Sequence, residues 1–230
     1  TFNEAVVREA VLNAICHRDY RGGASVFVRQ FPRRIEVVSP GGFPSGVTPE
    51  NILDCSCPRN RRIADALHQC GLVERSGQGM NLIFRESIRE SKGRPDFHKS
   101  DAYYVWLDIR CEIRDERFLR FLERVGAERQ RSFDAHDFLA LDCLSRDEAV
   151  PNDLSDRLAK LREAGVVELV GRGPKPKYIL SKALYGFLGK KGVYTRKKGL
   201  DRGEKRALLL KHIRDGGARG VPFEEFFDVL

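Results

Sequence analysis

The stretch Glu4 to Tyr20, EAVVREAVLNAICHRDY, constrains the fold more than any other part of the chain. Read at helical period, Val7, Ala10, Val11, Ala14 and Ile15 form one apolar stripe, which predicts a helix packed on a sheet. Glu9, Asn13 and His17 recur every fourth residue, so a carboxylate, a carboxamide and an imidazole share one rail. An amide oxygen can ligate Mg²⁺, and a carboxylate can orient or deprotonate a water. A half-buried helix with a polar edge produces the same spacing. The rail alone leaves both readings open.

Two glycine turns follow in order. Ala24–Phe31 and Ile35–Ser39 are rich in β-branched and aromatic residues and predict a hairpin around Pro32-Arg33-Arg34, whose second strand delivers Ser39-Pro40-Gly41-Gly42-Phe43-Pro44. The second turn, Ser76-Gly77-Gln78-Gly79-Met80, opens a helix-like run, where backbone N–H groups and the positive end of the helix dipole can meet phosphates. The third glycine and the later acidic residue of a dinucleotide fingerprint are missing. Between the turns, 44–60 reads as a loop with a short helix at Pro49–Leu53. Pro58-Arg59-Asn60-Arg61-Arg62 then precedes an amphipathic helix over Ile63–Cys70. Arginines there can hold anions or form a solvated cluster. Tyr103–Ile109 predicts a further strand, with Trp106 in the core.

Helix, first glycine turn and second glycine turn together resemble the N, G1 and G2 boxes of the Bergerat (GHKL) ATP-binding fold. More closely, NAICHRDY, VVSPGGFP, CPRN and GLVERSGQGM resemble the C-terminal region of RecG-like or Schlafen/AlbA-type transcriptional regulators, over Thr1 to Arg110. The resemblance implies an α+β chain whose first part is a Bergerat-like sandwich, a mixed sheet with helices on one face. It implies ATP and Mg²⁺ as cofactors, with Glu9 as the general base and Asn13 as the Mg²⁺ ligand. His17, Ser39, Gly41, Gly42, Arg59, Gly77 and Gly79 would surround the nucleotide, beneath a lid formed by the 44–60 region. Ser39 stands where the family has an adenine-reading Asp, so GTP is to be considered beside ATP. The implied activity is a weak Mg²⁺-dependent ATPase; a degenerate, nucleotide-free scaffold or dimerisation unit is the alternative. The chain contains no Walker A motif, so no helicase motor is expected.

From about Cys111 onward the pattern is mainly helical. Amphipathic runs at Arg117–Val125 and Ala135–Leu144 precede a helix carrying Leu154, Leu158 and Leu161 and a hairpin formed by Val166–Val170 and Lys177–Leu180. This order resembles a winged helix-turn-helix. Arg157 and Lys160 on the recognition helix and Arg172, Lys175 and Lys177 on the wing are the expected contacts to duplex DNA. Asp153, Asp156 and Glu163 on the same helix also fit a protein-docking winged helix. Gly171–Arg206 carries a net charge of +10 against +8 for the whole chain, and Tyr185, Phe187 and Tyr194 interleave its basic residues, a composition that favours nucleic-acid backbone.

The expected domains are 1–112 nucleotide-binding, 113–185 winged helix, and 186–230 a basic linker with the start of a second winged helix. The chain reads as a piece of a longer, homo-oligomeric protein. Its six cysteines include no C-x-x-C pair, which predicts a reducing cytoplasm, and no apolar run is long enough to span a bilayer.

Overall fold

A computed structural model describes residues 2–55, 57–73, 78–129, 133–170, 177–188, 191–199 and 202–215. The chain divides into two compact units, Thr1–Ala159 and Lys160–Leu230.

The first unit begins with α1 (Glu4–His17), opened by Asn3, whose side chain accepts from the Val6 N–H at 3.3 Å. Its buried residues are Val6, Ala10, Leu12, Ala14 and Cys16, while Val7, Val11 and Ile15 are only half-buried. The expected single stripe is therefore corrected to a wider arc, because α1 packs both on the sheet and on a second helix, α3 (Gly79–Arg89). The helix stops three residues before Tyr20: Arg18 leaves helical geometry, and the Asp19 N–H donates to the Pro40 carbonyl at 2.8 Å.

Strands β1 (Phe27–Gln30), β2 (Arg34–Pro40) and β3 (Tyr104–Arg110) form a sheet in the order β1-β2-β3. Both pairings are antiparallel, with Arg29 opposite Glu36 and Glu36 opposite Asp108. A mixed sheet was expected; among the described residues this one is wholly antiparallel. Side chains alternate across the pleat, so Val37, Ser39, Val105 and Leu107 face the helices, while Glu36, Trp106 and Asp108 face away. Trp106 is accordingly not core: it is half-buried between the Arg29 guanidinium, 5.5 Å from the ring centroid, and the Lys99 ammonium, 5.9 Å away.

Between the sheet strands run α2 (Arg61–Gln69) and α3. The short helix expected at Pro49–Leu53 is instead a series of turns, in which Asn51 Oδ1 accepts from the Thr48 N–H at 2.7 Å. After β3 come α4 (Glu116–Arg129), α5 (Ala135–Ser145) and α6 (Ser155–Glu163), within which the division between the units falls. A reciprocal capping box between Asp134 and Asp137 starts α5, which packs on α3.

The second unit contains the antiparallel hairpin of β4 (Val167–Val170) and β5 (Lys177–Leu180), followed by α7 (Lys182–Phe187), α8 (Lys191–Lys198) and α9 (Arg202–Asp215). Ser181 caps α7, and Glu168 accepts from the Lys182 N–H at 2.7 Å and from the Tyr194 hydroxyl at 2.7 Å. Tyr185 and Tyr194 are buried with ring centroids 5.9 Å apart, so these two aromatics serve the unit's core rather than an exposed stacking surface. The wing 171–176 and the partner helix expected from Val221 lie outside the described residues. Among those residues, no helix is long and apolar enough to cross a membrane.

Candidate nucleotide site

A cavity of about 1100 Å³ opens in the first unit between α1, the helix-facing side of β2 and β3, the segment after Gly42, α2 and the start of α3. Its size suits a nucleotide-scale ligand, since small-molecule pockets typically run from roughly 300 to 1,000 Å³. Glu9, Asn13 and His17 all line it, as the helical rail requires.

Asn13 Nδ2 donates to Glu9 Oε1 at 2.9 Å and to the Glu9 carbonyl at 3.0 Å. Among the described residues Asn13 Oδ1 accepts no hydrogen bond. Gly79, the first residue of α3, sits directly against this pair: a Cβ there would collide with Glu9 Oε1 and stand 2.5 Å from Asn13 Nδ2. A side chain at this position would have to displace the Glu9 carboxylate and the Asn13 amide, which glycine leaves in place. Burial, and then the Arg59 guanidinium, push His17 below its usual range, so it meets the cavity as a neutral imidazole at pH 7. Burial and the neighbouring Glu9 push the Cys16 thiol up, keeping it protonated.

The first glycine turn is built by its surroundings. Ser39 is buried, and its hydroxyl donates to the Ala14 carbonyl at 2.9 Å, locking β2 to α1. The donor of that hydroxyl is therefore committed, and Ser39 offers lone pairs to the cavity it lines. Gly41 (φ 116°) and Gly42 (φ 56°) occupy backbone regions that favour glycine. A Cβ on Gly42 would stand 2.6 Å from the Ala102 carbonyl oxygen.

Arg59 does not line the cavity; its Nη2 donates to the Gly41 carbonyl and, at 3.0 Å, to the Gly42 carbonyl. Asn60 Nδ2 donates to the Cys16 and Arg18 carbonyls at 2.9 and 2.7 Å, satisfying the end of α1. Gly77 lies outside the described residues. The cations that do reach the cavity wall are Arg8, Arg61 and Arg85. Arg61 belongs to the arginine run seen in the sequence; Arg8 and Arg85 have no motif to announce them. Asn81, also on the wall, donates to the Leu53 carbonyl at 3.0 Å and ties α3 to the overlying segment.

Of the residues expected at DNA, Arg157 is held by carboxylates, pairing with Asp134 and lying 3.8 Å from Asp137. Lys160 and Lys177 are exposed, whereas Arg172 and Lys175 lie outside the described residues.

An amide oxygen beside a carboxylate is a hard-oxygen donor set. Among the described residues no cluster of three or more His, Cys, Asp or Glu side chains could hold a metal. That donor set is of the kind Mg²⁺ uses, since the ion keeps several waters and takes one or two protein oxygens together with phosphates.

No curated protein matches the chain. The chain is similar in fold to the DIP2311 protein from Corynebacterium diphtheriae, with a TM-score of 0.69 and 22% sequence identity over 82% of this chain. The match spans 41% of that protein's length. Residues 23–107, which contain β1, β2, the first part of β3, both glycine turns, α2 and α3, match the family described as "Putative ATP-dependent DNA helicase recG C-terminal", and this similarity supports an ATPase-like, nucleotide-binding domain.

Proposed function

We propose that the cavity of the first unit binds ATP with Mg²⁺, and that the chain is a RecG-like transcriptional regulator that couples this site to duplex DNA through a winged helix in its C-terminal half. The observation that carries the nucleotide reading is the close approach of Gly79 to the Glu9–Asn13 pair on the cavity wall. There the first residue of α3, the Asn13 amide and the Glu9 carboxylate meet at one end of a helix, whose N-terminus favours anions.

In this reading Asn13 Oδ1 holds the Mg²⁺, and the bound ion supplies charge neutralisation for a polyphosphate. Glu9 orients a water or takes its proton, and Asn13 keeps the Glu9 carboxylate in place through the 2.9 Å hydrogen bond. His17, neutral at pH 7, offers a hydrogen-bonding group without adding positive charge. Ser39, with its donor committed to Ala14, accepts from an exocyclic amino group.

A fluorescent ATP analogue titrated with and without Mg²⁺ tests the proposal, with GTP as competitor. Asn13→Ala should abolish the Mg²⁺-dependent part of binding. Glu9→Ala should spare binding and remove any hydrolysis. Unchanged affinity in Asn13→Ala defeats the assignment and leaves the nucleotide-free scaffold or dimerisation unit. For the DNA half, Lys177→Ala should weaken binding to all duplex sequences alike and reduce the salt slope by about one unit.

A further inference from the structure

The segment that covers the cavity, 44–55, is shaped by local turns. The Val47, Asn51 and Asp54 N–H groups donate to the Pro44, Thr48 and Asn51 carbonyls at 3.0, 3.2 and 3.0 Å, and the Asn51 side-chain amide donates to the Gly46 carbonyl at 2.8 Å. Each of these bonds begins and ends within the segment. They give it a form but do not fix where it rests, and a stretch with few outside partners opens locally at low cost.

Two side chains from other elements place it. Asn81, in the first turn of α3, donates its Nδ2 to the Leu53 carbonyl at 3.0 Å, and the Leu53 side chain is buried. His136, in the first turn of α5, brings its Nε2 to 3.2 Å from Asp54 Oδ1, with the imidazole side chain 17% exposed and the Asp54 side chain 61%. Among the described residues, these are the polar contacts that join 44–55 to other elements of the first unit. Ile52 and Cys55 line the cavity, whereas Leu53 and Asp54 between them do not. Two adjacent residues are therefore tied outward while their neighbours on either side form the wall. Since α3 and α5 pack on each other, both ties end on one pair of helices.

We propose that Asn81 and His136 are positioning residues that strap the cover to α3 and α5, and that release of this strap opens the cavity for a nucleotide to enter and leave. A neutral hydrogen bond and a partly exposed imidazole–carboxylate contact are both weak, so the strap holds the cover in place yet yields to thermal motion. Asn81 stands two residues after Gly79, which puts its tie in the helical turn that meets the Glu9–Asn13 pair. Where cover opening limits exchange, a weaker strap speeds association and dissociation together and changes the equilibrium affinity little. The ligand in this inference rests on the nucleotide reading above; the strap itself does not.

Hydrogen exchange on the full chain without nucleotide reads the strap directly, through the amides of Val47, Asn51 and Asp54. Stopped-flow mixing with the fluorescent ATP analogue and Mg²⁺ reads its effect on the cavity. Asn81→Ala and His136→Ala should each speed exchange in 44–55 and raise the nucleotide dissociation rate roughly threefold, and together roughly tenfold, with association rising in step. His136→Gln keeps a side-chain donor and should stay close to the parent. Unchanged exchange in the double variant overturns the strap, and faster exchange with an unchanged dissociation rate overturns its gating role. Should the double variant lose its fold, His136→Ala against His136→Gln decides, and equal rates in the two overturn the assignment. A parent chain that binds no nucleotide would defeat the function proposed above and the gating role with it, whereas hydrogen exchange decides the strap in either case.

Discussion

The two faces of the β1-β2-β3 sheet use the same strands for opposite purposes. Toward the helices, Val37, Val105 and Leu107 line the cavity, and the polar side chain among them, Ser39, spends its hydroxyl on α1. On the far face, Glu36 is 5% exposed yet charged, held by Lys99 Nζ at 2.8 Å and Arg34 Nη2 at 3.2 Å, with Arg29 Nη1 at 3.9 Å. A face that must leave room for a ligand keeps its polar groups few and committed. The far face is instead closed by a ring of cations around one carboxylate, two of which, Arg29 and Lys99, also lie over the Trp106 ring.

Three measurements sharpen the contrast. Removing the centre of the ring should have the largest effect: Glu36→Ala leaves three converging cations, and urea denaturation should show a loss of about 2 kcal/mol, below the range for a deeply buried pair because the partners are partly solvated. Ser39→Ala removes one hydrogen bond on the other face and should cost about 1 kcal/mol by the same assay. A larger loss for Ser39→Ala than for Glu36→Ala would mean that the far face is ordinary surface.

The smallest effect is in pH. The Lys99 hydrogen bond, with the charges of Lys99, Arg34 and Arg29, holds Glu36 below the usual carboxylate range. Its stabilisation is therefore present above the unfolded value of about 4.3 and is lost as pH falls through the lower folded value. Asp108 goes the other way: burial raises it against Arg34 and Lys99. Its stabilisation is present below the unfolded value of about 3.9 and is lost as pH rises through the higher folded value. Thermal melts from pH 3 to 7 should show Asp108→Asn gaining about 0.5 kcal/mol toward neutrality relative to the parent. The Glu36→Gln variant should lose its disadvantage in acid. Parallel profiles for the two variants would remove the distinction between these carboxylates.

Local pattern made part of this legible. The rail of α1 needs only the period of one helix, the hairpin needs only its two flanking strands, and the two glycine turns are recognisable by composition. Pairings distant in the chain were beyond its reach. Lys99 meets Glu36 across 63 positions, and Arg59 meets Gly41 across 18. Nothing in the run Arg59-Asn60-Arg61-Arg62 distinguishes the arginine that clamps backbone from the one on the cavity wall. Trp106 was misplaced because strand alternation fixes which residues share a face but not which face is covered.

The clamp of Arg59 on the Gly41 and Gly42 carbonyls has a consequence for how such chains can diverge. It fastens the segment 43–58 at its base, so both ends of that excursion are held whatever its length. Closing a flexible loop costs only about 0.6 kcal/mol more for each doubling of its residues. Insertions between 44 and 52 should therefore be absorbed without disturbing the end of α1, which Asn60 holds independently. The covering of the cavity is thus the part of this domain in which size can drift from one lineage to another, while the glycine turn and the helix beneath it keep their register.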